Sequence, residues 1–243
     1  MQKLCVKIAF KYASGFICTS EGIRSKLIEW GCKKEKIFYS CPYIAPTEKE
    51  SSEEPLPVIK DFCQKHKYII TANASNTNKY KNEDLYGLDM CIEVVKYLIG
   101  RGYDVGLVYA LTKITDIQSF EKMKGLITEL GIADNILLFT EKTGLVPILK
   151  LTDIFLRPTN TDTWAMSISE SISLGIPVIA SDACKRENGA IIFETRNQNA
   201  FNEAIIKCLD NLENEKEKLS HIVVESHHIE VCGVYKELTK QYF

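Results

Sequence analysis

The stretch of sequence that decides the fold is Leu156-Arg-Pro-Thr-Asn-Thr-Asp-Thr-Trp-Ala-Met-Ser-Ile-Ser-Glu-Ser-Ile-Ser-Leu-Gly-Ile-Pro-Val-Ile-Ala-Ser-Asp182. It begins with an apolar run typical of a strand, continues through a polar loop into a helix, and reaches a glycine stop before a second apolar run. A strand, a helix and a strand in this order form the unit from which parallel sheets are built. The stretch therefore predicts an α/β fold.

The same alternation continues toward the N-terminus. Short apolar runs without polar alternation are typical of strands buried on both faces, so we predict a Rossmann-like, doubly wound parallel sheet with flanking helices. The predicted strands are Tyr68–Ala72, Val105–Tyr109, Ile136–Phe139, Ile154–Leu156 and Val178–Ala180. Apolar stripes at helical spacing predict helices at Leu88, Cys91, Val95 and Leu98, and at Ile117, Phe120, Met123, Ile127 and Leu130. The glycines expected to end helices are Gly100, Gly102, Gly131 and Gly175.

The first 45 residues predict a smaller set of elements. Phe16–Ser20 indicates a short strand that ends in a helix N-cap, and Ile23, Leu27 and Trp30 lie at helical spacing after it. Ile37–Tyr39 indicates a second short strand.

The segments that flank the predicted sheet differ in composition. The charged stretch from Pro42 to Pro57 is punctuated by prolines and is the best candidate for a linker. Toward the C-terminus we predict a helix near Phe201–Leu212, a charged stretch at Glu213–Lys218, and a last helix that ends at Phe243.

Composition excludes several classes of protein. The chain has 243 residues, of which 45% are apolar and 26% charged, as in soluble globular proteins. Thirty basic residues against 32 acidic ones give a formal charge of -2, which argues against a general electrostatic grip on nucleic acid.

Cysteine usage and hydropathy indicate the compartment. The nine cysteines form no Cys-x-x-Cys pair, which favours a reducing cytoplasm and argues against disulfides and structural zinc. No apolar stretch reaches the ~20 residues of a membrane helix, and the N-terminus lacks the apolar core of a signal peptide. We therefore expect a cytoplasmic protein, with peripheral association at the inner face of the membrane left open.

The common catalytic motifs are absent from the sequence. It contains no Gly-x-Gly-x-x-Gly loop, phosphate loop, Gly-x-Ser-x-Gly elbow, His-Glu-x-x-His or Asp-x-Asp. A catalytic role for the His227-His228 pair is weaker than the alternative, a solvated helix end.

Two carboxylates in the opening stretch are the best candidates for chemistry. Asp162 precedes the predicted helix, and Glu170 lies within it, so both are expected to line one groove. Loops after parallel strands form the ligand crevice of an open sheet, and the first N–H groups of a helix suit a phosphate. One carboxylate would accept hydrogen bonds from ribose hydroxyls and the other from sugar hydroxyls. The structural alternative is an N-cap aspartate and a solvated helix glutamate.

The stretch resembles the donor-site signature of glycosyltransferase family 4, also called glycosyl transferases group 1. In that signature two acidic residues separated by seven others precede Gly-x-Pro-Val-Ile-Ala-Ser-Asp, as Asp162 and Glu170 precede Gly175–Asp182 here. The resemblance implies a GT-B fold and a metal-independent, usually retaining enzyme without a cofactor. It implies that Glu170 binds the nucleotide ribose, that Asp162 lies by the donor hexose, and that the helix N-terminus faces the diphosphate.

The resemblance also implies the remaining donor-binding residues and the domains. The donor-binding candidates are Trp164, Ala165, Met166, Ser167, Lys79, Lys81, Arg157 and Thr140, with the Lys185-Arg186 loop as a further source of positive charge. Residues 1–45 resemble a remnant of the first, acceptor-binding domain and its crossover. Residues 46–66 would be a linker and lead-in helix, and residues 67–243 the nucleotide-sugar-binding domain with its C-terminal return helix.

Three positions depart from the family pattern. The first acidic residue is Asp162 where glutamate is usual, Thr163 and Trp164 replace the neighbouring glycine, and Tyr86 replaces a basic residue. The replacement of the glycine makes close approach of the sugar to the backbone harder.

Together these features lead to two functional hypotheses. The first is the donor-binding half of a glycosyltransferase that transfers a hexose from a UDP- or GDP-sugar to a glycan or lipid-linked acceptor in bacterial surface polysaccharide synthesis. The alternative is a non-catalytic nucleotide-binding subunit or fragment that requires a partner N-terminal domain. Both predict association with a partner or with a second copy of the chain.

Overall fold

The computed structural model describes residues 2–40 and 43–240, which form two compact units. The first unit comprises the described residues of 1–45 and 225–243, and the second comprises residues 46–224. The predicted linker segment 46–66 thus belongs to the second unit, and the C-terminal helix to the first. Cys41, Pro42 and Phe243, which carried parts of the sequence prediction, lie outside the described residues.

The first unit contains a pair of short parallel strands. Its elements are α1 (Gln2–Tyr12), β1 (Phe16–Cys18), α2 (Glu21–Glu29), a 3₁₀ turn (Lys34–Lys36), β2 (Ile37–Tyr39) and the C-terminal helix (His228–Thr239). The Ser20 hydroxyl accepts a hydrogen bond from the N–H of Ile23 and caps α2. The strand, cap and helix predicted after Phe16 are therefore confirmed, whereas α1 was not predicted.

The second unit alternates strands and helices over most of its length. Its elements are α3 (Glu48–Ser52), α4 (Pro57–Cys63), β3 (Tyr68–Ala74), β4 (Lys79–Tyr80), β5 (Glu83–Asp84), α5 (Leu88–Gly100), β6 (Val105–Leu111), α6 (Ile117–Glu129), a 3₁₀ turn (Ala133–Asn135), β7 (Ile136–Phe139), α7 (Leu145–Leu149), β8 (Ile154–Arg157), α8 (Met166–Ser173), β9 (Val178–Ser181), β10 (Ile191–Phe193), α9 (Gln198–Asp210) and α10 (Leu212–Ser220).

Six of these strands form one parallel sheet in the order β10-β9-β8-β3-β6-β7. The chain starts in the middle of the sheet with β3, builds outward through β6 and β7, then returns to the other side with β8. This confirms the predicted α/β class and parallel sheet. In such sheets the ligand crevice lies at the carboxyl ends of the strands where the order reverses, which here is between β3 and β8.

Both faces of the sheet are buried. Along β3, Ile70 and Ala72 face the large core formed with α5, α6 and α9, whereas Ile69 faces the opposite core with α4 and α7. In β8, Phe155 faces a third core beside α8, whereas Ile154 and Leu156 face the large core. This alternation of faces explains why the strands read as continuous apolar runs.

The two charge-rich segments contain helices. The segment predicted as a linker and lead-in helix contains α3 and α4, with Ile59 fully buried and the Lys150 ammonium donating to the Glu53 carbonyl at 2.8 Å. Pro57 supplies the helical φ angle at the first turn of α4, where its missing N–H costs nothing. The charged stretch Glu213–Lys218 is part of α10.

A close contact at Gly87 brings α5 to the end of β8. Gly87 is the N-cap of α5 with φ of +74°, and a Cβ there would collide with the carbonyl of Pro158. The carboxylate of Asp84 accepts the N–H groups of Tyr86 and Gly87, both at 2.8 Å. The start of α5 is therefore packed against the loop that follows β8.

The described cysteines, eight in all, are free thiols. Among the helices that the structure describes, none has both the length and the apolar character needed to cross a membrane.

Candidate active site

The candidate site lies where the strand order reverses. Arg157, the last residue of β8, donates from Nη1 to the Asn73 side-chain oxygen at 2.9 Å and to the Asn73 carbonyl at 3.3 Å. Asn73 belongs to β3. The guanidinium therefore joins the carboxyl ends of the two strands that border the expected ligand crevice.

A buried ion cluster is centred on Asp162. Its Oδ2 accepts hydrogen bonds from Nε of Arg157 at 3.1 Å and from Nη1 of Arg186 at 3.0 Å, and Nη2 of Arg157 forms an ion pair with it at 3.1 Å. All three side chains are buried: those of Asp162 and Arg157 are each 11% exposed, and that of Arg186 is 3% exposed. Burial alone would raise the pKa of Asp162, but the two guanidinium charges and their hydrogen bonds outweigh it and lower that pKa. Asp162 is therefore held in its ionised form.

Arg186 ties two loops together. Besides Asp162 it donates to the Ser181 carbonyl at 2.8 Å and to the hydroxyls of Thr159 and Ser181 at 2.9 and 3.1 Å. A second tie runs from the hydroxyl of Ser169 to the carboxylate of Glu187 at 3.0 Å. The loop after β9 is thereby fixed against both the loop after β8 and helix α8. The sequence identified Arg186 as a source of positive charge but did not predict its pairing with Asp162, because the two residues lie 24 positions apart.

The N-terminus of α8 has no side-chain cap. The helix begins at Met166 and its N-cap is Ala165, so Trp164 and Ala165 precede the helix and Asp162 does not cap it. The N-cap alternative for Asp162 is therefore wrong. The N–H groups of Met166 and Ser167 lie in the first turn, where the helix offers no carbonyl partner.

Glu170 carries a carboxylate without a protein partner. It is partly buried in α8, and no hydrogen bond or ion pair joins its side chain to any residue in the described ranges. Burial, and then the negative charge of Glu50 in α3, raise the pKa of Glu170. The solvated-glutamate alternative does not fit this environment.

Tyr86 stands where the resemblance implies a basic residue. The guanidinium of Arg157 lies over the Tyr86 ring, 5.2 Å from its centroid. A positive charge is thus present beside position 86, although it is supplied from β8.

The structure does not bring Lys79, Lys81 or Thr140 to the ion cluster. Lys79 pairs with Asp116 at 3.5 Å and lines a separate cavity of about 240 Å³, and Lys81 lies in the tight β4–β5 turn with φ of +52°. Thr140 is exposed and follows β7, which is the third strand from β8 in the sheet. At the usual spacing between strands, β7 and β8 are ~14 Å apart. Lys185 is exposed beside the buried Arg186.

Two polar side-chain atoms in the loop that carries Asp162 have no hydrogen-bond partner among the described residues. They are the side-chain oxygen of Asn160 and the indole N–H of Trp164, and both are inaccessible to solvent. No group of three His, Cys, Asp or Glu side chains that could hold a metal occurs in the described part of the chain.

Residues 83–222 match the family described as "Glycosyl transferases group 1", which is more than half of the chain. No curated protein matches it in sequence.

Solved structures similar to this chain share its fold at low identity. HepE from Anabaena, solved with UDP and glucose, has a TM-score of 0.75 and 12% identity, over 98% of this chain and 66% of that one. A glycosyltransferase from Rickettsia africae has a TM-score of 0.72 and 15% identity, over 93% and 64%. WaaG, a glycosyltransferase involved in lipopolysaccharide biosynthesis, has a TM-score of 0.68 and 17% identity, over 90% and 61%. The chain thus spans less than two thirds of the length of each of them.

Proposed function

The chain belongs to the glycosyl transferases group 1 family, and from this membership we propose that it binds the donor in a GT-B glycosyltransferase. The reaction transfers a hexose from a UDP- or GDP-sugar to a glycan or lipid-linked acceptor. The observation that carries the proposal is the Glu170 carboxylate, which has no partner among the described residues and lies in α8, the helix with an uncapped N-terminus that follows β8 at the reversal point of the sheet.

We propose that Glu170 binds the ribose of the nucleotide. A partly buried carboxylate without partners is costly, and two ribose hydroxyls would supply the donors it lacks. Hydrogen bonds to an ionised acceptor are the strong ones, so this contact would contribute to binding of the nucleotide whatever sugar it carries.

The diphosphate is proposed to lie at the N-terminus of α8. The N–H groups of Met166 and Ser167 are directed along the helix toward its start, where the helix dipole is positive. Arg157 and Arg186 add positive charge nearby while their own hydrogen bonds go to the protein. These charges support a metal-independent mode of binding, as the resemblance implies. Direct roles for Lys79, Lys81 and Thr140 stay predictions.

We propose that Asp162 lies beside the donor hexose. Its Oδ2 is occupied by the two arginines, whereas Oδ1 accepts, among the described residues, only the N–H of Thr163, at 3.0 Å, and retains capacity for a sugar hydroxyl. Catalysis would then rest on positioning and on stabilising the charge of the leaving diphosphate, with retention of configuration.

The acceptor and the pathway are proposed by analogy with similar proteins. WaaG takes part in lipopolysaccharide biosynthesis, and this supports a role in bacterial surface polysaccharide synthesis, at the inner face of the membrane. The acceptor is proposed to bind to a part of the enzyme other than the donor-binding unit. The alternative is a nucleotide-binding subunit without catalysis of its own.

Calorimetry with UDP and GDP, with and without EDTA, tests the donor site. We expect one of the two nucleotides to bind without added divalent metal, and saturation at a hundred times Kd to stabilise the fold by ~2.7 kcal/mol. Binding that requires magnesium or manganese would contradict the metal-independent proposal. Absence of binding to both nucleotides would overturn the proposed function.

The two carboxylates are tested by paired substitutions. Glu170→Gln is expected to weaken UDP and UDP-glucose equally, by ~10- to 100-fold, because a charge-assisted hydrogen bond contributes ~1.5–3 kcal/mol. Asp162→Asn is expected to weaken UDP-glucose more than UDP. Equal losses for both ligands in both variants would show that the two roles are assigned wrongly.

A further inference from the structure

A cavity of about 240 Å³ lies in the second unit, between the β4–β5 hairpin and the N-terminal halves of α5 and α6. We call it the α5–α6 cavity. Its described lining residues include none from the loop after β8 and none from α8, where the donor is proposed to bind. Of the donor-site candidates predicted from the sequence, only Lys79 lines it. The α5–α6 cavity is therefore separate from the proposed donor site.

The walls of the α5–α6 cavity are fixed by contacts within the second unit. The Arg196 guanidinium donates to both carboxylate oxygens of Asp89, at 2.9 and 2.5 Å, and its Nε lies 3.5 Å from the carboxylate of Glu83. The Thr77 hydroxyl accepts the N–H of Asp116, the N-cap of α6, at 2.7 Å. These ties join the hairpin, α5 and α6, so the cavity is formed in the protein without a ligand.

Residues with a left-handed backbone conformation gather at this cavity. Arg196 has φ of +64°, and Lys81 and Asn82 in the hairpin turn have φ of +52° and +67°. Within the described ranges these are all the residues other than glycine with positive φ. The hairpin pair matches a type I′ turn, whereas Arg196 lies just before the N-cap of α9. Residues that the surrounding structure holds in such conformations cluster at ligand-binding sites.

The α5–α6 cavity combines apolar surface with balanced charge. Leu88 and Phe120 are 2% and 7% exposed, and both line it. Equal numbers of basic and acidic side chains line it as well: Lys79, Lys122 and Arg196 against Glu83, Asp84 and Asp89. Because the formal charges cancel, the cavity favours neither an anion such as a diphosphate nor a cation. It suits a neutral ligand that has an apolar face and several hydrogen-bonding groups.

Two of the lining polar groups are free to bind a ligand. Within residues 2–40 and 43–240, no hydrogen bond or ion pair joins the Asn82 amide or the Lys122 ammonium to another residue. The amide can donate and accept hydrogen bonds, and the ammonium can donate three. A hydroxyl group can pair with either of them, since it both donates and accepts. One group comes from the hairpin and the other from α6, so a ligand with several hydroxyls can contact both sides of the cavity.

The volume limits the ligand to about one ring. At the ~30 Å³ that a water molecule takes up in the liquid, 240 Å³ corresponds to about eight waters. We propose that the α5–α6 cavity binds one neutral sugar ring of a glycan, at a site separate from that of the donor sugar. The C–H face of the ring packs on Phe120, and its hydroxyls bind Asn82 and Lys122. Only the identification of the ring as part of a glycan rests on the proposed function.

Titration of the ¹⁵N-labelled chain with methyl glycosides tests the site. The probes are the methyl glycosides of glucose, galactose, mannose and N-acetylglucosamine, each with and without saturating UDP. At least one of them should shift the amide signals of residues 82–89 and 119–123, with the same Kd in the presence of UDP. The corresponding free sugars serve as a second set of probes, because a ring within a glycan carries a substituted anomeric oxygen.

Two variants and a matched control assign the binding to this cavity. Lys122→Met keeps the length of the side chain and removes the ammonium, so the glycoside should bind ~5- to 10-fold more weakly. Asn82→Gly removes the amide from a position with positive φ, which glycine adopts readily, and should weaken binding to a similar extent. Lys113→Met, at an exposed lysine that does not line the cavity, should change nothing. UDP should bind all three variants as it binds the wild type.

Several outcomes would overturn the inference while leaving nucleotide binding intact. These are binding of none of the glycosides, displacement of the glycoside by UDP, and equal losses in Lys122→Met and Lys113→Met. Tighter binding of inorganic phosphate or glycine than of every glycoside would contradict a neutral ligand, and binding of the free sugars alone would contradict a glycan. A chain that binds a glycoside in this cavity and neither UDP nor GDP would instead overturn the proposed function.

Discussion

At the scale of single residues, Asp162 and Glu170 carry similar carboxylates in opposite electrostatic environments. Two guanidinium groups lower the pKa of Asp162 against the effect of its burial. Burial and the nearby Glu50 raise the pKa of Glu170. Ionised Asp162 therefore stabilises the folded chain, whereas ionised Glu170 destabilises it.

Glu170→Gln should make the unliganded protein more stable at pH 7. The folded pKa of Glu170 lies above its unfolded value of ~4.3, so wild-type stability falls as pH rises from that value through the folded pKa. The variant lacks this loss, and the two proteins should converge below about pH 4. Urea unfolding of both proteins at pH 7 and at pH 4 measures the difference. A variant less stable than the wild type at pH 7 would contradict the prediction.

Asp162→Asn is the matched control with the opposite sign. Asp162 contributes stability above its unfolded pKa of ~3.9, and this stability is lost as pH falls through the lower folded value. Removing one partner of a buried ion cluster costs ~3–5 kcal/mol, so this variant should be less stable than the wild type at pH 7.

The sequence predicted the candidate carboxylates better than their partners. The spacing of Asp162 and Glu170 follows from one strand, one loop and one helix, which are local features. The pairing of Asp162 with Arg186 depends on how two loops from different strands meet. No local pattern reports that geometry, and the exposed lysines at 79 and 81 were equally plausible sources of charge.

At the scale of elements, the contact between α5 and the end of β8 depends on Gly87. Gly87→Ala should destabilise the second unit by ~2 kcal/mol or more, because a left-handed φ costs an L-residue ~1–2 kcal/mol and the new Cβ meets the Pro158 carbonyl. Urea unfolding followed by Trp164 fluorescence in a Trp30→Phe background measures the loss.

Gly100→Ala is the control within the same helix. Gly100 has no atom within 4 Å of its added Cβ and does not have a left-handed φ, so alanine there should leave stability unchanged or raise it by up to ~1 kcal/mol. Similar losses for both variants would show that the Gly87 contact is not responsible.

Elements buried on both faces were predictable, and marginal ones were not. Apolar runs predicted β3, β6, β7, β8 and β9, because burial on both faces leaves no polar alternation. The edge strand β10 has three residues, with Ile192 48% exposed, and gave too short a pattern. Segment 46–66 has the charged composition of a linker. A few buried residues such as Ile59 nevertheless anchor it to the core.

At the scale of the whole molecule, the first unit exposes large apolar side chains. Ile8, Tyr12, Trp30 and Tyr39 are 51%, 72%, 55% and 51% exposed. We expect the purified chain to associate with itself or with a complementary polypeptide, because such surface is more stable when covered. Light scattering over a range of concentrations should show this, and Trp30→Arg should reduce it. A monomer at every concentration would contradict the prediction.

Donor binding and sugar transfer should separate in the purified chain. In the proposed GT-B arrangement a cleft between two domains encloses the reaction, and residues 1–243 span less than two thirds of the similar glycosyltransferase structures. We expect nucleotide binding without transfer from a labelled donor. Transfer by the chain alone would contradict this expectation.

The central position of β3 has a consequence during synthesis on the ribosome. Its neighbour β6 and the next strand, β7, follow it closely, but Arg157 at the end of β8 comes 84 residues after its partner Asn73. At ~5–20 residues per second, β3 waits roughly 4 to 17 s with one edge unpaired. An unpaired edge is a template for pairing with another nascent chain. We therefore expect the yield of folded protein to depend on the speed of translation between β7 and β8.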